Sequence, residues 1–443
     1  MSEKKFWNEK IETLSREELE ALQLESLKEI VKFSYENAPY YKRSFDEAGV
    51  KPEDIQKLSD LAKFPFIDKK TERDTQGVGS FLGELCAVDE EDVVFISTST
   101  GSTGVPTMSP FTKKDFDEFQ DTESRWFWQI GMRPKDRYVH ALNFSLYVGG
   151  PDVIGAQNLG ALCIWGGTLP SERLLYILKT YQPTIIWTSP SYAWYLGETA
   201  KKHGIDPKKD LSIKKIIVAG ELGGSIDTTR KAIEDLWGAD LYDFYGLSDI
   251  FGACAAMCEA KDGLHIAEDH ILVETIDIHT GELLPAGEVG ELVYTTLRKH
   301  ARPMIRFRSG DIGWIDNTPC TCGRTHGRIH INGRKDDMFI VSAVNVFPSD
   351  IEAVIHEVDG ITGEYLIRVF EKDFTCKYSV EIEKNADSNE ADNQLADRVS
   401  VALKARIGVK PYSVKVHPDG GLDTRSEHKS RRIIDERKLN YTI

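Results

Sequence analysis

The chain lacks any uninterrupted apolar run long enough to span a bilayer, so no membrane is expected as a partner. Positive charge is scarce as well. Lysine and arginine number 55 against 71 aspartates and glutamates, and the net charge of −16 argues against nucleic acid as the main partner. Seven cysteines, an odd number spread over 443 residues, give no sign of a disulfide framework. The first residues, Met1-Ser2-Glu3-Lys4-Lys5-Phe6-Trp7, hold no apolar core of a signal peptide and lead into a helical pattern, which points to the cytoplasm. Internal repeats and low-complexity segments are missing too.

What is present is an ordinary globular composition, 41% apolar and 28% charged, in a chain long enough for one large domain and one or two smaller ones. Leu19, Leu22, Leu27 and Ile30 recur at helical spacing in a helix-rich stretch that reaches about residue 60 and breaks at Asn37-Ala38-Pro39. From about 90 to 300, β-branched or aromatic runs (92–96, 137–142, 161–165, 184–188, 215–219) alternate with helical stretches (114–130, 171–179, 192–203, 228–237). Such alternation implies parallel sheets with helices on both faces. Within that span, from about 270, a smaller β-rich unit is expected, with strands at 271–277, 290–295 and 313–316. Past a Gly/Arg-rich stretch, strand and helix signals at 339–341, 349–357, 365–370, 378–383, 394–407 and 413–416 make an α+β unit. The expected fold class is α/β, with a large N-terminal domain at 1–333 and a small α+β domain at 334–443.

The loop Ser97-Thr98-Ser99-Thr100-Gly101-Ser102-Thr103-Gly104-Val105-Pro106-Thr107 follows the first of these strands. Glycines let backbone N–H groups approach phosphate oxygens, and hydroxyls add donors. No Gly-Lys-Ser/Thr follows at Walker spacing. Alone, the loop reads equally as a phosphate cradle or as a flexible Ser/Thr/Gly connection.

Further segments occur in a definite order: Glu36-Asn37-Ala38-Pro39-Tyr40-Tyr41, Tyr245-Gly246-Leu247-Ser248-Asp249, Gly263 to His270, Arg306-Phe307-Arg308-Ser309-Gly310-Asp311, Gly333-Arg334-Lys335-Asp336-Asp337-Met338, Val344 to Ser349, and Lys429. With the loop, this series resembles the phenylacetate-CoA ligase branch of the adenylate-forming acyl-CoA synthetases. The resemblance implies ATP, Mg²⁺ and coenzyme A as cofactors and co-substrates, and acid–CoA ligation through an acyl-adenylate. Ser99, Thr100, Gly101, Ser102, Thr103 and Gly104 would fold over the β,γ-phosphates. Val105 stands where the family usually has lysine. Tyr245, Gly246 and Ser248 would meet adenine and the α-phosphate. Asp249, where the family generally has glutamate, would hold magnesium through hard oxygens; its residue-level alternative is a helix cap. Asp311 would accept hydrogen bonds from the ribose hydroxyls, against a plain turn aspartate.

Gly220 and Glu221 resemble the segment lining the adenine, and Arg334 and Asp336 the hinge about which the small domain turns. Lys429 matches the C-terminal catalytic lysine, which would stabilise charge between the attacking carboxylate and the α-phosphate. Phe144, Tyr147, Gly149 and Gly150 resemble the segment facing the acyl group; with Trp165, Trp187, Tyr192 and Trp194 nearby, a flat aryl acid fits better than a long fatty chain. Arg406, Lys410, Lys415, Arg431 and Arg432 are candidates for coenzyme A phosphates.

Cys258-x₆-His265 and Cys320-x-Cys322 make a Cys₃His set, the usual composition of a structural Zn²⁺ site. Free buried cysteine is the alternative, and Cys254 and His326 are alternative ligands. Two other readings stay open at this point. The adenylate could pass to an amine or carrier protein, or the chain could be a non-catalytic nucleotide-binding relative. Oligomeric state is open, a homodimer included.

Overall fold

The structure, a computed structural model, describes residues 4–99, 106–142, 149–167, 169–341, 344–372, 375–422, 424 and 432–439. No helix among them is long and apolar enough to cross a membrane. The chain divides into two units. The first comprises 1–188, 208–220 and 242–331; the second comprises 189–207, 221–241 and 332–443.

In the first unit, the helix Arg16–Asn37 opens with a reciprocal cap, in which the Ser15 hydroxyl accepts from the Glu18 amide and the Glu18 carboxylate accepts from the Ser15 amide. It stops where the sequence predicts. Ala38 takes an extended conformation (φ −105°, ψ 115°) because Pro39 disfavours a helical residue before it, and Pro39 then starts the helix Pro39–Ala48.

Eleven strands form the main sheet, in the order Ile271–Ile276, Gly290–Thr296, Phe307–Asp316, Arg328–Arg334, Leu264–Ile266, Phe251–Met257, Asp240–Leu247, Lys215–Val218, Ile185–Thr188, Arg137–His140, Leu162–Trp165. The last four run parallel, as the strand–helix alternation requires. From Asp240–Leu247 onward the paired strands are antiparallel. The antiparallel pairs Asp240–Leu247 with Phe251–Met257 and Phe251–Met257 with Leu264–Ile266 lie within the span read as parallel, which therefore does not extend to residue 300. The strand Val93–Thr98 is not in this sheet; it pairs antiparallel with Met108–Thr112, so the hydroxyl-rich segment connects two paired strands.

The helix Lys113–Gln129 carries the core across the sheet. Its Trp126 indole donates to the Ala253 carbonyl (2.6 Å) and the Gln129 amide to the Ala256 carbonyl (2.9 Å). Phe127 meets Tyr138, Trp187 and Phe244 at ring-centroid separations of 5.4, 5.5 and 6.1 Å. Emptying such a site costs about 3–5 kcal/mol, so Trp187 belongs to the core rather than to a ligand wall.

The second unit holds a four-stranded sheet in the order Val414–His417, Thr375–Lys384, Ile361–Lys372, Ile433–Asp435. Its central pair is antiparallel and each outer strand is parallel to its neighbour. The helices Pro348–Glu357 and Asp392–Ile407 bury Ile351, Val354, Leu395 and Val399 against Tyr365, Ile367 and Tyr378. The helices Pro190–Lys202 and Asp227–Trp237 also belong to this unit, joined by the Trp237 indole donating to the Ala193 carbonyl at 2.9 Å.

Candidate active site

The feet of the loop are tied together. The Ser99 hydroxyl accepts from the Thr107 amide (3.1 Å) and from the Thr107 hydroxyl (3.0 Å), and the Ser99 amide donates to the Thr107 carbonyl (3.0 Å). Thr100, Gly101, Ser102, Thr103, Gly104 and Val105 lie outside the described residues.

Beside these feet is a group of charges that sequence reasoning missed. Asp68 caps the short helix Lys69–Thr75 by accepting from the Thr71 amide at 2.8 Å. That places Lys69 in its first turn. The Lys69 ammonium donates to the Asp249 carboxylate and to the Thr107 hydroxyl (3.0 Å), and lies 3.2 Å from the Glu72 carboxylate. Arg302 donates to Glu72 at 2.7 Å and stands 3.7 Å from Asp249. The Lys299 ammonium donates to the Ser109 hydroxyl and, at 3.2 Å, to the Asp249 carbonyl.

The electrostatics follow from burial and neighbours. Burial opposes ionisation of Asp249, but Lys69 and Arg302 outweigh it and hold the carboxyl below its ordinary range. Burial and the Asp249 charge push Glu72 up to about 7, and burial and Arg302 push Lys299 down to about 7. In the sequence Lys299 and Arg302 stand in a run of basic residues from Arg298 to Arg308, whereas Lys69 and Glu72 lie far from it. Isolated lysines such as Lys69 normally signify solvated surface. Asp249, Thr107 and Ser99 together offer hard oxygen donors of the kind magnesium takes.

Tyr245 sits on the strand Asp240–Leu247 and its hydroxyl donates to Asp311 (2.5 Å), on the strand Phe307–Asp316. The Tyr294 hydroxyl donates to that of Tyr245 at 3.1 Å. Ser309 anchors the turn by accepting from the Asp311 amide at 3.0 Å. Gly246 is required here, since a Cβ would sit 1.8 Å from the Gly252 carbonyl oxygen. The half-buried Ser248 accepts at its carbonyl from the Ser97 hydroxyl at 3.5 Å. Tyr245, Gly246, Ser248, Asp249 and Asp311 thus share the first unit with the loop feet.

Gly220 follows the strand Lys215–Val218 in the left-handed region at φ +85°, where a side chain is strained. The Glu221 carboxylate is spent on the helix Pro190–Lys202, accepting from the Ser191 amide (3.0 Å) and hydroxyl (2.9 Å). Arg334 and Asp336 form an exposed pair, 3.5 Å apart, at a turn closed by the Asp337 and Met338 amides on the Arg334 carbonyl. Phe144, Tyr147 and Lys429 fall outside the described residues. A Cβ at Gly149 would reach Leu142 and Asp152 at ordinary contact distance, so that glycine leaves room.

Cys258, His265, Cys320 and Cys322 converge, with all four ligand atoms within 4.8 Å of one another. The Cys258 and Cys320 sulfurs are 3.7 Å apart, and the Cys322 sulfur is 3.3 Å from His265 Nε2. A tetrahedral ion with bonds of about 2.3 Å to sulfur sets its sulfurs roughly 3.8 Å apart. His265 Nδ1 is 2.9 Å from the His326 carbonyl, which orients the ring so that Nε2 faces the sulfurs. The alternative ligands do not fit. The His326 nitrogens lie against the carbonyls of Ile266 (3.0 Å) and Ile11 (3.1 Å), and Cys254 is buried outside the group.

Comparison with known proteins agrees along the whole chain. The AMP-binding enzyme family matches residues 16–296, and the AMP-binding enzyme C-terminal domain matches residues 343–437. A phenylacetate-coenzyme A ligase of Thermus thermophilus is 35% identical, spanning 98% of this chain and 100% of that protein. One from Aromatoleum evansii is 37% identical over 97% of each. Among solved structures, a 2-hydroxyisobutyryl-CoA ligase in the postadenylation state, bound to an acyl-adenylate, superposes with a TM-score of 0.93 at 28% identity, covering 99% of this chain and 94% of that one.

Proposed function

The chain belongs to the AMP-binding enzymes, the adenylate-forming acid–CoA ligases, and from that premise we propose that its acid is a small aryl carboxylate of the phenylacetate kind. ATP and coenzyme A are the co-substrates. The observation that carries the reading is the 35% identity to a phenylacetate-coenzyme A ligase across 98% of the chain. A carboxylate oxygen bonds to the α-phosphorus of ATP, and the bond to the bridging oxygen breaks, so pyrophosphate leaves with the electron pair. The coenzyme A thiol then attacks the acyl carbon and AMP departs.

In this reading Asp311 takes the ribose hydroxyls, with Tyr245 holding it in place beside the adenine. The loop 99–104 receives the β,γ-phosphates, and Gly220 and Glu221 flank the base. Residues 334–443 form the mobile domain, turning at Arg334 and Asp336, and Lys429 serves the first half-reaction. Gly149, Phe144 and Tyr147 border the acyl group. Asp249, with the Ser99 and Thr107 hydroxyls, would hold magnesium, which neutralises phosphate charge when bound. Cys258, His265, Cys320 and Cys322 would hold a structural zinc ion. A cytoplasmic location completes the reading.

The test is a ligation screen with ATP and coenzyme A over aryl, short aliphatic and long-chain acids. Aryl acids are expected to exceed long-chain acids in kcat/KM by about 10²-fold or more, the discrimination a shaped apolar pocket supplies. A preference for short aliphatic acids would move the substrate class. Product formed with amines but not with coenzyme A would replace the acceptor. Asp311→Ala should raise KM for ATP about 10–100-fold, the loss of one or two hydrogen bonds to a charged group. An unchanged KM removes Asp311 from the ribose site.

A further inference from the structure

Of the described cations around Asp249, one faces outward. Lys299 and Arg302 keep only 4% of their exposure and are committed inward, to the Ser109 hydroxyl and the Asp249 carbonyl and to Glu72 respectively. The Lys69 side chain keeps 35%. Its ammonium touches the Thr107 hydroxyl, the foot of the loop two residues after Val105, and that foot is bonded to Ser99 at the other end. The loop itself, from Ser97 to Thr107, contains no lysine or arginine. A protein of net charge −16 that binds a tetra-anionic nucleotide needs a local cation there.

We propose that Lys69 is the cation that binds the β- and γ-phosphates, supplied from a separate helix in place of one from the loop. The proposal rests on the ligase reading of this site. As the carboxylate bonds to the α-phosphorus and the bond to the bridging oxygen breaks, negative charge builds on the departing pyrophosphate. The Lys69 ammonium neutralises it without giving up its proton. Asp249, Glu72 and Thr107 aim the side chain, and Arg302 supports Asp249 and Glu72 from beneath. The arrangement makes a lysine at position 105 dispensable.

The test uses the full-length protein and binding probes that need no acid: inorganic pyrophosphate, and AMP as a control lacking the outer phosphates. Lys69→Met should weaken pyrophosphate binding about 30-fold or more and lower kcat/KM for ATP about 10²–10³-fold, the usual effect of losing one group that meets developing charge. AMP affinity should change by less than about 3-fold. Lys69→Gln keeps an N–H donor for Asp249, so it preserves the fold while losing the charge, and should show the same selective loss. Placing a lysine in the loop, Val105→Lys on the Lys69→Met background, should recover about 10-fold or more. Unchanged pyrophosphate binding in both variants overturns the proposal. So does an equal loss for AMP and pyrophosphate, which marks a structural ion pair. Failure of the ligase reading looks different: the wild-type protein would then show no acid-dependent exchange of pyrophosphate into ATP, whatever the variants bind.

Discussion

Replacing Lys429 with alanine should cut acid-dependent pyrophosphate exchange about 10²–10³-fold, the cost of one preorganised group that meets transition-state charge. On the proposed role, transfer from preformed acyl-adenylate to coenzyme A should stay within about 3-fold, because the charge that Lys429 would meet exists only in the first step. The physical need is plain. A carboxylate must approach an α-phosphate that already carries negative charge, inside a protein whose own charge is −16. The described residues on either side of this lysine converge on one acid. The Thr424 hydroxyl donates to Glu364 at 2.8 Å, while Arg432 donates to the Gly363 carbonyl at 3.2 Å and lies 3.7 Å from the Glu364 carboxylate. Glu364→Ala should therefore reproduce part of the loss with Lys429 intact. Equal losses in both half-reactions for Lys429→Ala would assign the residue to folding instead.

Legibility from the sequence differed by region, for physical reasons. The strands 185–188 and 215–218 read Ile-Ile-Trp-Thr and Lys-Ile-Ile-Val and are buried along almost their whole length, and such apolar runs are plain to read. The strand Phe251–Met257 was invisible. It reads Phe-Gly-Ala-Cys-Ala-Ala-Met, small and poor in β-formers, because the helix Lys113–Gln129 lies close against it and bonds to its carbonyls. Met108–Thr112 was missed for another reason. Pro110 demotes a strand on pattern alone, and an edge position in a two-stranded hairpin tolerates it.

The site shows the same split. Asp311, Tyr245 and Asp249 lie in contiguous motifs, so they were legible together. Lys69, Glu72, Lys299 and Arg302 reach Asp249 from two other segments, and only the fold shows that they meet. The Cys₃His group was readable by composition, although its halves are 55 residues apart between His265 and Cys320.

That group leads to the second large effect. Purified protein should carry about one zinc ion per chain, and Cys322→Ser should lose it and destabilise the fold by about 3–5 kcal/mol. Cys320 and Cys322 lie on the connection between the strand Phe307–Asp316, which carries Asp311, and the strand Arg328–Arg334, which ends at the expected hinge. An ion there would tie that connection to Cys258 and His265 on the neighbouring strands, so its loss should also raise KM for ATP. The dependence on pH has a definite sign. Without metal, burial works against charge on His265, but the Cys320 and Cys322 thiolates outweigh it and raise the ring to about 9. Zinc requires a neutral imidazole and ionised thiols, so binding releases protons and weakens as pH falls. Dialysis against chelator at pH 5.5 should thus strip the metal faster than at pH 8, and the denaturation midpoint should drop with it. Metal-free protein of unaltered stability would leave the four side chains as a hydrogen-bonded thiol cluster and nothing more.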